Sequence, residues 1–157
     1  GRRARTIEAL RALFVSPEVV WVLGVLALGV YAPHWLLRAG NAFLGADVPN
    51  ILPVLGAPFV MVVAAYKLSS AILRPEGDRN ILMGWPEYWR LRLRVNVSLA
   101  FSLIGALAVL VGWVVHKSEY TTAGTGIALA GFGVAAISLA CVAHARQDVA
   151  DIVDRVG

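Results

Sequence analysis

Residues 121–143 read TTAGTGIALAGFGVAAISLACVA, 23 positions without a single Asp, Glu, Lys or Arg. A hydrocarbon core about 30 Å thick takes about 20 apolar residues in helix. The stretch is therefore long enough to cross a bilayer. It is also too continuous for a barrel strand, which alternates over about 10 residues. Lipid offers no partner to open backbone donors and acceptors, so the segment must be helical.

Three more runs of the same kind lie upstream. Val19–Leu37 and Val95–Val115 carry no charged side chain, and Val48–Tyr66 continues past Lys67 to Leu73. Composition agrees. Hydrophobic residues make up 59% and charged residues 15% of the 157, against about 45–50% and about 25% in soluble domains. Water would not tolerate that surface. The reading is one all-α membrane domain over 1–157, a bundle of four transmembrane helices with short amphipathic interfacial segments. The expected spans are 17–39, 49–73, 94–116 and 121–145, with a loop over 74–93 and a tail over 146–157.

Local signals mark several ends. Ser16-Pro17-Glu18 combines an N-cap, a first-turn proline and an acid matched to the helix dipole. Arg38-Ala39-Gly40-Asn41 reads as a cationic last turn with a glycine stop. Arg2, Arg3 and Arg5 before an apolar stretch imitate a signal peptide, but Pro33 would block a cut after Ala32, so the stretch is read as a retained span. Residues 5–15 suit a short amphipathic helix at the membrane surface. From Glu87 to His116 a single helix of about 45 Å would overrun the hydrocarbon. Within it, the alternation Arg90-Leu91-Arg92-Leu93-Arg94-Val95 imitates a strand, which would find no pairing partner there. The tail after His144 should continue the fourth helix.

Positive charge sets the expected orientation. Arg2, Arg3, Arg5, Arg11, Arg74, Arg79, Arg90, Arg92, Arg94, Arg146 and Arg155 fall on one side of a four-span topology, and only Arg38 and Lys117 on the other. Both termini are thus placed in the cytoplasm. Trp21, Tyr66, Trp85, Tyr88 and Trp89 should line the inner interface, and Tyr31, Trp35, Trp113 and Tyr120 the outer one. Arg outnumbers Lys, and Ala, Gly and Val abound, as in proteins of GC-rich bacterial genomes. The expected location is a bacterial inner membrane.

Several positions could carry chemistry. Lys67 is charged within an apolar run, where ionisable groups are functional candidates. It lies close enough to the inner end to snorkel instead. Arg90, Arg92 and Arg94 beside Trp85, Tyr88 and Trp89 should hold anionic lipid of the inner leaflet or an acidic partner, although a topology anchor also explains them. His34 and His116 both fall near the outer face and are weak candidates for a shared haem or metal. Solvated histidines are the plainer reading. His116-x-x-Glu119 alone is a poor metal signal. Pro53, Gly56 and Pro58 could bend the second span or open a binding site in it.

Gly124, Ala128, Ala136 and Ala140, with Gly131 and Ala135 beside them, and Ser98, Ser102 and Ala106 of the third span offer small-residue faces for helix packing within the chain or between chains. The single cysteine, Cys141, cannot form an internal disulfide. No spacing suits zinc, a phosphate loop or a serine nucleophile, so the sequence requires no cofactor and suggests no enzyme. Arg residues placed between apolar blocks do not form a nucleic-acid footprint. The expectation is a non-catalytic membrane subunit that packs with other subunits or itself. The alternative is a small oligomeric channel, transporter or pore-forming protein using the kinked second span and Lys67.

Overall fold

A computed structural model describes residues 16–45, 48–73 and 86–156, together with Ile7 and Gly84. Apart from Ile7, the expected interfacial helix over 5–15 lies outside the described residues, as do Trp85 and most of the loop over 74–93. Five long helices make up the described chain: α1 Pro17–Tyr31, α2 Pro33–Phe43, α3 Val48–Leu73, α4 Tyr88–Lys117 and α5 Thr121–Val156. The fold is all-α. Three helices are long and apolar enough to cross a membrane, and α1 with α2 forms a bent pair that together passes the same test.

The first run is thus not one straight span over 17–39. It breaks at Ala32 and turns by 108°. Proline explains the break. Pro33 has no backbone N–H, and its ring pushes the preceding residue out of helical conformation. Ala32 accordingly adopts φ −142° and ψ 57°. Its N–H still closes α1 on the Leu28 carbonyl at 2.8 Å, and α2 begins afresh with proline in its first turn. At its start α1 follows the expected signals. Ser16 caps it by accepting the Val19 N–H, and Glu18 sits in the first turn. Gly40 does not stop the helix. It lies inside α2, where the side chains of Thr125 and His116 occupy the space a Cβ would need.

Pro53 and Pro58 lie inside α3 without interrupting it over 26 residues. α4 is one helix of 30 residues, so the alternating arginine segment is helical. α5 runs unbroken for 36 residues, about 54 Å at 1.5 Å per residue, and carries the tail with it.

Glycine sets the antiparallel packing of α4 on α5. A Cβ at Gly112 would run into the backbone of Ala128 and Gly124, and one at Gly105 into the Gly131 carbonyl. Such close backbone approach is what small residues permit in membranes, where packing takes over from the hydrophobic effect. α3 lies along the pair. Ile51 and Leu55 meet Val109 and Ala128 near one end, and Ile72 meets Val95 and Ala145 near the other. α1 runs antiparallel to α5. At the bend Leu36 of α2 lies 3.4 and 3.8 Å from where a Cβ on Gly29 and on Gly126 would stand, so α2 folds across the end of α5 where that helix starts. Lys117 reaches the Gly45 carbonyl at 3.5 Å and ties the end of α2 to the end of α4.

Candidate functional site

α1 enters the bundle partway along α5 rather than at its end. Glu18 is 2% exposed, and Ser138 Oγ donates to its Oε1 at 3.2 Å. Ser138 lies five residues inside the charge-free run that ends at Ala143, about 7 Å deep at the helical rise. One turn along α1, the Trp21 indole N–H donates to the Leu129 carbonyl at 3.3 Å. The ring covers Gly133, filling the space a Cβ would take. Trp21 therefore packs against the middle of α5's apolar stretch, not at the interface expected from its aromatic character. The cause is the deep start of α1.

Other polar groups gather at this level. Cys141, one turn beyond Ser138 on α5, lies within electrostatic reach of both Glu18 and Arg94. No cation of the described residues comes within ion-pair distance of Glu18. Ser102 of α4 is fully buried, and its hydroxyl has no hydrogen-bond partner. The register that sets Gly105 against Ala135 and Val95 with Ala145 brings Ser102 to the depth of Ser138.

From Glu18 a groove of about 900 Å³ runs between α1, α4 and α5 towards the α1–α2 bend. Apolar side chains line it almost throughout, including Val22 and Leu26 of α1, Ile104 and Ala108 of α4, and Ala130 and Val134 of α5. Glu18 supplies its one ionisable group, and Thr122 a hydroxyl towards the far end. A second apolar cleft, of about 460 Å³, lies on the other flank of α5 between α2 and α3.

The residues singled out in the sequence lie elsewhere. Lys67 is exposed on α3, and its backbone carbonyl accepts from Ser70 Oγ at 2.7 Å. The Tyr88 hydroxyl donates to the Ile72 carbonyl at 2.9 Å and joins the α3 and α4 ends. Arg90 pairs with Glu87 at 3.3 Å and stacks 5.6 Å from the Trp89 ring centroid. Arg92 and Arg94 are exposed on the same helix. These residues share one end of the bundle, which is therefore basic.

The two histidines have separate surroundings. His34 is exposed and tilts against Trp35 at 5.9 Å. His116 is 5% exposed, with Nδ1 at 3.2 Å from the Thr121 carbonyl and 3.1 Å from Thr125 Oγ1. Glu119 is exposed. Among the described residues no three His, Cys, Asp or Glu side chains cluster as metal ligands would.

Sequence reasoning missed the Glu18–Ser138 pair. One signal was there to find: Ser138 is the only hydroxyl residue between Gly126 and Ala143. Comparison with family models, curated proteins and solved structures gives no match to this chain.

Proposed function

We propose that this chain is a non-catalytic membrane subunit that associates with copies of itself or with other membrane proteins. One observation carries the reading. Gly24 lies exposed in the apolar run of α1, and a Cβ built there meets nothing within 4 Å. Gly105, Gly112, Gly124 and Gly131 are consumed between α4 and α5, while Gly56 of α3, half-buried, also has nothing within 4 Å of a Cβ. Gly24 is a small-residue notch that the fold leaves unused, with Val20 and Leu23 exposed beside it. Notches of this kind let a second helix approach closely in lipid. In this reading the membrane is a bacterial inner membrane, with the basic end facing the cytoplasm. Lys67, Arg92, Arg94 and the Trp89–Arg90 pair then meet anionic headgroups, each worth about 1 kcal/mol near such a surface.

Light scattering on protein extracted in mild detergent, and again in lipid nanodiscs, tests association. The expected result is a particle holding more than one chain that becomes a single chain in Gly24→Leu. A particle of one copy of this chain, with no other protein extracted beside it, overturns the reading.

A further inference from the structure

The groove beside Glu18 has a polar head and an apolar body. Its volume of about 900 Å³ falls in the range of about 300–1,000 Å³ typical of small-molecule sites, which are mostly apolar with a few placed polar groups. An ionised carboxylate offers about four hydrogen-bond acceptor positions. Among the described residues, Ser138 is the side chain that donates to Glu18. A carboxyl that is 2% exposed and lies within an apolar bundle is costly without further donors or a cation. Arg94 does not meet that need, because it is exposed and makes no ion pair with Glu18.

Shape separates two kinds of occupant. A transmembrane helix laid in the groove would have to continue past its far end. There the chain turns by 108° into α2, and Gly29, Val30 and Leu36 line that end. A molecule that ends inside the groove meets no such obstacle.

We infer that the α1–α4–α5 groove binds a membrane amphiphile with a cationic amine head, the head on Glu18 and the apolar chain lying towards the α1–α2 bend. Ser138 positions the carboxylate by holding one oxygen. The depth suits such a ligand, since Glu18 lies about 7 Å inside the apolar run, where a head can descend from the basic end while its chain stays in hydrocarbon. The groove reads charge at the head and length along the chain.

Three probes of equal chain length test this on the whole protein: octadecylamine, octadecanol and octadecanoic acid, scored by native mass spectrometry as bound adducts. Octadecylamine is expected to bind about tenfold more tightly than octadecanol, the effect of one charge-assisted hydrogen bond. Glu18→Gln should close that gap. Ala130→Phe, which fills the groove without touching Glu18, should weaken all three probes together. A thermal melt of each variant confirms that it is folded. Equal binding of all probes by the parent protein overturns the proposal and marks the groove as ordinary lipid contact. A preference for octadecanoic acid overturns it in favour of Arg94 as the reading group. An amine preference that survives in folded Glu18→Gln also overturns it.

Discussion

The α4–α5 hairpin and the α1–α2 arm are both helical and apolar, yet they are held by different means. In the hairpin, backbone meets backbone. Gly105, Gly112, Gly124 and Gly131 each leave room that the facing helix fills, and α4 buries Val95, Ser98, Ser102, Ala106 and Val109 along one face. In the arm, α1 buries only Glu18 and Val25 among its 15 residues, and α2 only Leu36 and Gly40. The arm is attached at points: a carboxyl on Ser138, an indole on Leu129, a glycine under Thr125. Apolar content brings both regions into the membrane. Small residues on a shared face decide which of them packs closely.

The largest expected effect comes from breaking that face. In Gly112→Leu the new side chain meets the main chain of Ala128 and Gly124, and main chain cannot rotate aside. Overpacking of a tight core costs about 1–3 kcal/mol, occasionally more, and the hairpin belongs at the upper end. Unfolding in mixed micelles, followed by tryptophan fluorescence, should show a loss of about 3 kcal/mol or no folded protein. Gly24→Leu in the arm is the counterpart. Open space surrounds Gly24, so the same change should leave the stability of the single chain nearly unaltered. Equal losses at the two sites would erase the distinction between hairpin and arm.

Gly40→Leu should fall between them. The obstacle there is the Thr125 and His116 side chains, which can turn away at the cost of their mutual hydrogen bond at 3.1 Å. A loss of about 1–2 kcal/mol is expected, together with release of α2 from α5. Distance measurements between spin labels at Asn41 and Glu119, both exposed, would detect that release. An unchanged distance would show that α2 is held by something other than this contact.

Ser138→Ala should act on the arm alone. It removes the donor to Glu18, and polar contacts between membrane helices average about 0.6 kcal/mol, reaching about 1.7. The expected loss is about 1 kcal/mol, with faster hydrogen exchange in α1 and unchanged exchange in α4. Faster exchange in both helices would mean that the arm and the hairpin open together.

Much of this architecture is legible in the sequence, and the limits have physical causes. The charge-free runs give α3, α4 and α5 directly, because apolar stretches of that length fit hydrocarbon and little else. Pro33 marks the bend. However, a proline near the end of an apolar run can kink, break or end a helix, and only the packing of Leu36 beside Gly126 settles which. The packing face of α5 is only partly visible in the spacing of its small residues. A strict interval of four drifts around a helix of 3.6 residues per turn. The face that meets α4 holds Gly124, Ala128, Gly131 and Ala135, all buried, while Ala136 is half-buried and Ala140 exposed. The sequence marks Glu18 as a dipole partner, which its place in the first turn supports. Its burial depends on where α1 docks on α5, and no local pattern encodes that depth. The groove is a property of three helices at once and is out of reach for the same reason.

Ser102 gives the smallest effect and the sharpest contrast with Ser138. The two hydroxyls sit at one depth on facing helices, both fully buried, but only Ser138 has a partner. Removing a bonded hydroxyl leaves an acceptor unsatisfied, whereas removing an unpaired one relieves a desolvation penalty of about 1–3 kcal/mol. Part of that relief is offset by the small void left behind. Ser102→Ala should therefore be neutral or should stabilise the hairpin by up to about 1 kcal/mol, in the same micelle titration that shows Ser138→Ala as a loss. A clear loss at Ser102 would mean that its hydroxyl bonds across the interface in the membrane. The polar node that fastens the arm would then extend into the hairpin, and the two regions would share one polar lock.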